Sequence, residues 1–326
     1  MNIYRITLYA ASTRYLGVDS QSTIMGRTDV VLSSQISDSE KWIIGELENG
    51  QEIRSLNNPY YKLNVGPSNN ADVYTSNADT AMDFVPAGAS DVYYIRSSSN
   101  PSKYLTASSR SNGASISWQA LANSDLQKWK FTEISIGASG TVYASESGSL
   151  APSAQTANAG YIYDFLMARG FTAQAACGIL GNIMKECTMN PGAWQISNNL
   201  NNGYGLVQWT PGSNFINWAK KVGVISSATA AKINDLASNN AEVLMNAQLF
   251  YLLECIGNSS DFMNPAYVNY TNHTGYVMNI AQYKSSTLIP ETLALVFHDH
   301  YERSGDGDSD LNKRKQYARN WYDELA

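Results

Sequence analysis

Glu186 ends a run in which Ala176, Ile179, Leu180, Ile183, Met184 and Cys187 recur at helical spacing. The spacing predicts a single apolar helix face, with Thr172 as the N-cap and Pro191-Gly192 beyond the end. At about 3.6 residues per turn, Glu186 falls about 20° from Ile179, on the edge of that face and next to Asn182. The last turn of a helix carries partial negative charge, and partial burial against Ile179 and Ile183 acts in the same direction. Both disfavour ionising a carboxyl. A carboxyl that keeps its proton near neutral pH suits a general acid protonating a leaving sugar oxygen. The other reading of the same helix is a solvated Glu beside Lys185.

The order Gly178-Ile-Leu-Gly-Asn-Ile-Met-Lys-Glu186, Asn190-Pro191, then Gly203-Tyr-Gly-Leu-Val-Gln208-Trp209 resembles the lysozyme-like catalytic domain of phage tail and endolysin muralytic enzymes. That family is a distant relative of goose-type lysozymes and lytic transglycosylases. The resemblance continues at Gln248–Glu254 and Phe297–Arg303, and so covers roughly half the chain. One departure is Cys187, where the family commonly has Ser. The resemblance implies that Glu186 is the general acid, and that Gln208 and Tyr204 position the sugar or the attacking water. Trp209 shapes the subsites or packs internally. Asn182 joins these as an expected substrate contact. Glu302 matches a Glu in the segment that closes the cleft, its alternative being an ion pair with Arg303 or a backbone contact.

The expected function is cleavage of the β-1,4 glycan backbone of peptidoglycan. The second carboxylate is open among Glu302, Asp299 and Asp306, and so is a lytic transglycosylase outcome with a 1,6-anhydro product. A Cys/His peptidase would need a thiolate at a helix N-terminus, whereas Cys177 is mid-helix and Cys187 lies at the C-terminal end. A wall-binding lectin or virion component with a lysozyme-like scaffold is the non-catalytic rival. No metal and no cofactor are expected. His298 and His300, two residues apart, diverge on a helix with no third ligand spaced to help. Asp306-Gly-Asp308-Ser-Asp310 starts like a calcium loop but has Leu311 where the turn Gly belongs.

The elements that must position these residues divide the chain. Residues 1–135 carry a threefold repeat of roughly 42–49 residues. Its units contain Tyr15-Leu16-Gly17, Lys62-Leu63-Asn64 and Tyr104-Leu105-Thr106, and end in Glu40-Lys41-Trp42, Met82-Asp83-Phe84 and Gln127-Lys128-Trp129. Asp72-Val73-Tyr74-Thr75 is a strand segment of the second unit. Short β-rich segments between turn residues, four per unit, predict an all-β trefoil with Trp42, Phe84 and Trp129 in its core. The Gln-x-Trp segments resemble ricin-B-type lectins. That family binds sugar through an Asp that this chain replaces with Gly17, Asn64 and Thr106. Trp118 is expected instead as a stacking platform for cell-wall carbohydrate, and is the one trefoil residue assigned to binding.

Residues 136–157 read as a flexible Gly/Ser/Ala-rich linker, a tether between wall-binding and catalytic parts. From 158 to 326 the pattern is mainly α-helical, the lysozyme-like domain of a multidomain chain. Asn158 is expected to cap a helix over Ala159–Arg169, and Ser309 or Asp310 the final helix, Leu311–Leu325. Gly178 and Gly181 would permit close approach of a neighbouring segment. Glu254 is expected to be a structural carboxylate.

Only 15% of the residues are charged, and the net charge of −6 leaves neither half basic, which argues against a nucleic-acid partner. No apolar run is long enough for a membrane span. The start, Met1-Asn-Ile-Tyr-Arg, reads as a first strand rather than a secretory signal peptide. The wall would then be reached through holin-type release or carriage on a virion. Three cysteines form no framework and are expected as reduced thiols.

Overall fold

A computed structural model describes residues 3–24, 27–47, 50–56, 61–74, 79–134, 138–257 and 261–326. Met1, Asn2, Thr75 and positions 135–137, where the linker was expected to begin, lie outside the described residues. The chain forms two compact units, Met1–Ile134 with Lys220–Ser226, and Ser135–Ala219 with Ser227–Ala326.

The first unit holds β1 (Ile3–Leu8), β2 (Tyr15–Ile24), β3 (Arg27–Ser33), β4 (Lys41–Leu47), β5 (Gly50–Ser55) and β6 (Lys62–Val65). The repeat continues through β7 (Ala71–Tyr74), β8 (Met82–Pro86), β9 (Val92–Ser97), β10 (Tyr104–Ala107), β11 (Ile116–Gln119) and β12 (Lys128–Glu133). Six of these strands close a ring, β1–β4–β5–β8–β9–β12 and back to β1. Closure leaves no free edge within the ring. The other six form the hairpins β2–β3, β6–β7 and β10–β11. Pairing of β3 with β7, and the bridges Val31–Ser115 and Asn70–Ser117, tie the hairpins together. A six-stranded ring capped by three hairpins is a β-trefoil.

Leu16, Leu63 and Leu105, one per repeat, are fully buried. Each contributes about 1.5–3 kcal/mol by leaving water. Trp42 Nε1 donates to the Leu16 carbonyl at 2.8 Å, and Trp129 Nε1 to that of Leu105 at 2.9 Å. The middle repeat has Phe84 in place of a Trp, and Phe84 is only partly buried, against Phe131 and Tyr93. Without an indole there, Trp118 Nε1 reaches across to the Asn64 carbonyl at 3.1 Å. Trp118 is therefore 2% exposed and part of the core. This corrects its expected role, because its ring offers no free face to a sugar. The positions that replace the lectin Asp are also spoken for. Asn64 donates to Asp72, Thr106 accepts from Gln127, and a side chain on Gly17 would meet Glu40.

The second unit contains α1 (Pro152–Met167), α2 (Ala173–Cys187), α3 (Ser213–Lys221, its last residues grouped with the first unit), α4 (Ala230–Asn239) and α5 (Ala241–Gly257). The short α6 (Ile280–Lys284), α7 (Pro290–Phe297), a π-helical turn (His298–Glu302) and α8 (Asp308–Leu325) follow. The helix α2 packs against α1, α7 and α8. Among the described residues, no helix is long and apolar enough to cross a membrane.

Three local expectations are corrected. The first helix starts at Pro152, a residue preorganised for the first helical position, and Asn158 lies buried within it. Asn158 does not cap. Its amide accepts from the Tyr143 N–H and donates to the Tyr143 and Met189 carbonyls at 2.7–2.9 Å. Asn190 likewise bonds the Ser145 N–H and the Ser145 and Gly148 carbonyls. Two side-chain amides thus pin residues 143–148, which composition alone assigns to a flexible linker. The final helix begins at Asp308 after Gly307, without a side-chain cap from Ser309 or Asp310.

Candidate active site

Thr172 caps α2 as expected, its hydroxyl accepting from the Ala175 N–H at 3.2 Å. The two glycines of this helix set its neighbours. A Cβ on Gly178 would lie 2.9 Å from the Leu293 backbone carbon, and one on Gly181 would lie 2.5 Å from the Arg314 carbonyl oxygen. Only glycine allows α7 and α8 so close, and that approach lays Arg314 over the end of α2.

Arg314 is fully buried and gathers the site. Its Nη1 donates to Asn182 Oδ1 at 2.9 Å and its Nε to Asp306 Oδ2 at 2.8 Å. Its Nη2 donates to Glu186 Oε1 and to Ser304 Oγ, the latter at 3.2 Å. Glu186, expected as a proton donor, accepts from the Arg314 guanidinium. Its side chain is 19% exposed. The alternative of a solvated Glu beside Lys185 does not hold either, since Lys185 pairs with Asp310 at 3.5 Å.

Glu302, on the π-helical turn, behaves differently. Its Oε1 is buried and accepts no hydrogen bond. Burial, and then the charge of Glu186, push its carboxyl well above the usual range, against the opposing pull of Arg314. For Asp306, burial also raises the pKa, but the hydrogen bond and charge of Arg314 outweigh it and hold the carboxyl below its usual value. Two carboxyls, Glu186 and Asp306, therefore hold one buried cation directly, while the carboxyl of Glu302 is pushed up beside them. Paired carboxyls pushed apart in this way are the groundwork of acid–base chemistry at a glycosidic bond.

The 193–209 segment forms a small β-region, with bridges Trp194–Tyr204 and Tyr204–Trp209. Its side chains are placed less as expected. Tyr204 is fully buried between Trp194 and Phe215, and burial pushes its phenol up. Trp209 is 8% exposed, stacks on Phe215 and donates to Tyr301 Oη at 2.9 Å. Both are packing residues of this wall. Asn182 is also fully buried, donating to the Gly178 and Ala294 carbonyls and accepting from Arg314. It positions Arg314 and offers no free face to a saccharide. Gln208 is partly exposed, with a left-handed backbone (φ 47°), and its Nε2 donates to the Ala193 and Gly205 carbonyls. Glu254 is structural as expected, accepting from Trp218 Nε1 at 2.8 Å.

All three cysteines are free. Burial raises Cys187, pushes Cys177 up to about 12 and Cys255 up to about 11, so none is poised as a thiolate nucleophile. His298 and His300 diverge: His300 bonds the Val296 carbonyl and the Met278 N–H, while His298 turns to Asp299 and Ser304. Arg314 and His273 escaped the sequence reading. Arg314 was detectable as a cation within the apolar stripe Leu311, Ala318, Trp321. His273 lies in a stretch without periodicity and left no such signal.

A curated relative, Morphogenesis protein 1 of Bacillus phage B103, is 32% identical over 187 residues, 57% of this chain and 44% of that protein. The chain thus spans less than half the length of that relative. Two solved structures align with about two-fifths of the chain. The designed 3-fold symmetric protein ThreeFoil does so at 22% identity and TM-score 0.36, with 40% of this chain and 99% of that one covered. The earthworm R-type lectin C-half in complex with GalNAc does so at 14% identity and TM-score 0.34, with 41% and 100% covered. The model of the phage tail lysozyme family matches residues 157–325, which take in α2, the 193–209 wall, the π-helical turn and the Arg314 helix. By that match, which takes in more than half of its length, the chain belongs to the phage tail lysozyme family.

Proposed function

We propose that this chain is a peptidoglycan hydrolase that cleaves the β-1,4 glycan backbone, with Glu186 and Glu302 acting as one proton-sharing unit and the trefoil holding the enzyme to wall carbohydrate. The observation that carries the reading is this carboxyl pair at the end of α2 in a chain of lysozyme family. Glu186 is the member that solvent reaches, and it meets the glycosidic oxygen. Glu302 is the desolvated member and stores the proton in the free protein. In this reading the proton passes from Glu302 to Glu186 when bound saccharide removes its remaining water. Asn182 and Arg314 hold Glu186 in place. Gln208 is the partly exposed side chain of the 203–209 segment and contacts the sugar or the water, on a wall shaped by Tyr204 and Trp209. The name of the phage B103 relative, a morphogenesis protein, supports carriage on a virion over release at lysis.

Mass spectrometry of products from purified sacculi tests the proposal. Wild-type protein should release glycan fragments with reducing ends. Products one water lighter would assign the same bond to the intramolecular route. Glu186→Gln and Glu302→Gln should each cost about 10²–10⁴ in rate, the usual worth of a positioned acid or base. Full activity in Glu186→Gln, or intact sacculi with wild-type protein, would remove the assignment.

A further inference from the structure

Three potential metal ligands converge in the second unit, outside the carboxylate cluster. His273 Nδ1 lies 2.7 Å from Asp299 Oδ1, and His298 Nδ1 lies 3.1 Å from the same oxygen. The three donor atoms all fall within 4.8 Å of one another. A zinc ion with bonds of about 2.0–2.1 Å in tetrahedral geometry separates its ligands by about 3.3 Å, so the His298 contact is close to that spacing and the His273 side chain, the more exposed of the two, would move out by roughly half an ångström.

The surroundings also suit an ion. Metal-bound imidazoles donate their second N–H to an outer acceptor. His298 Nε2 lies 3.1 Å from Ser304 Oγ, with Asp306 Oδ2 at 3.9 Å behind it. The remaining oxygen of Asp299, Oδ2, accepts the His273 backbone N–H at 2.8 Å, which fixes the carboxylate. The side chains of His298 and Asp299 are fully buried, whereas that of His273 is 24% exposed. His273 also lines a cavity of about 730 Å³ with Tyr276, Glu291 and Arg319. Two ligands are thus anchored in the protein, and the third lies where solvent can bring an ion and a water ligand.

We propose that His273, His298 and Asp299 form a binding site for a divalent transition metal, with zinc the best match to two imidazoles and one carboxylate. The ion joins the loop over residues 261–279 to the π-helical turn that carries Glu302. Ser304 Oγ lies 3.1 Å from His298 Nε2 and accepts from Arg314, so a single hydroxyl separates this site from the Glu186 cluster.

The test is a zinc titration of the full, metal-stripped chain against a chromophoric chelator, with cobalt as a spectroscopic probe and Tm as a second readout. The wild type should bind one equivalent of zinc and gain thermal stability. His273→Ala, a change at the more exposed ligand, should bind at least about 10–100-fold more weakly and lose the thermal gain. Absence of zinc binding in the wild type would overturn the proposal, leaving a hydrogen-bonded clamp. Equal binding in His273→Ala would also overturn it, since the metal would then sit elsewhere. Neither readout uses glycan cleavage, so its failure and that of the glycosidase reading are distinguishable.

Discussion

Replacing Arg314 with Met is the most informative perturbation of this site. The guanidinium is 1% exposed and donates to Asn182, Glu186, Ser304 and Asp306. A Met side chain fills similar space but leaves Glu186 and Asp306, at 19% and 14% side-chain exposure, without their cation. Breaking a buried pair in this way costs about 3–5 kcal/mol. A domain of this size loses about 2–4 °C of Tm per kcal/mol, so melting should fall by roughly 6–20 °C at neutral pH. The pH dependence separates charge from packing. Arg314 depresses the folded-state pKa of Asp306, so that group's contribution to wild-type stability is present above its unfolded pKa, about 3.9. It is lost as pH falls through the lower folded value. The deficit of Arg314→Met should therefore be largest above about pH 4 and shrink on acidification, as the stranded carboxyls take up protons. Thermal melts of both proteins by circular dichroism between pH 3 and 8, an interval of about five units around that pKa, measure it. An equal deficit at both ends of the range would refute the electrostatic account and leave only lost packing.

Gly181→Ala forces a Cβ to within 2.5 Å of the Arg314 carbonyl and should cost about 1–3 kcal/mol in urea melts, whereas Gly160→Ala on α1, with nothing within 4 Å, should gain about 0.5–1 kcal/mol. Asn158→Ala removes three buried hydrogen bonds and should cost about 1–3 kcal/mol while exposing residues 143–148 to limited proteolysis. Trp118→Phe deletes the bond to Asn64 and should lower stability by about 0.5–1.5 kcal/mol without changing retention on purified walls. Lost retention in a folded Trp118→Phe protein would contradict its burial.

The trefoil was legible because its three units repeat the same apolar positions, and a unit that cannot bury Leu16, Leu63 or Leu105 alone must close with its copies. Trp118 was misread although the signal was present. In Ile116-Ser117-Trp118-Gln119 the alternation puts Trp118 on the same face as Ile116, and both are buried. The stretch around 143–148 was misread for a different reason. Small, polar residues look like linker, and the amides that hold them belong to Asn158 and Asn190, which the chain reaches only later.

The site divides along the same line between local and distant causes. The cap and the position of Glu186 at the end of α2 follow from spacing within one helix, and the structure reproduces them, whereas the helix is buried all round from Ala175 to Ile183 rather than on one face. The charge environment of Glu186 does not, because its partner arrives 128 residues later. Gly178 and Gly181 announce that something approaches closely, but not that a cation comes with it. The stripe on α8 holds the missing clue. Leu311, Arg314, Ala318 and Trp321 recur at helical spacing and are all buried, and a buried Arg requires carboxylates around it. Combining the two patterns, a glycine notch on one helix and an Arg within an apolar stripe on another, predicts an ion pair at their crossing. The proposed mechanism accordingly places the proton on Glu302, whose carboxyl burial pushes well up and whose Oε1 is buried with no hydrogen-bond partner among the described residues.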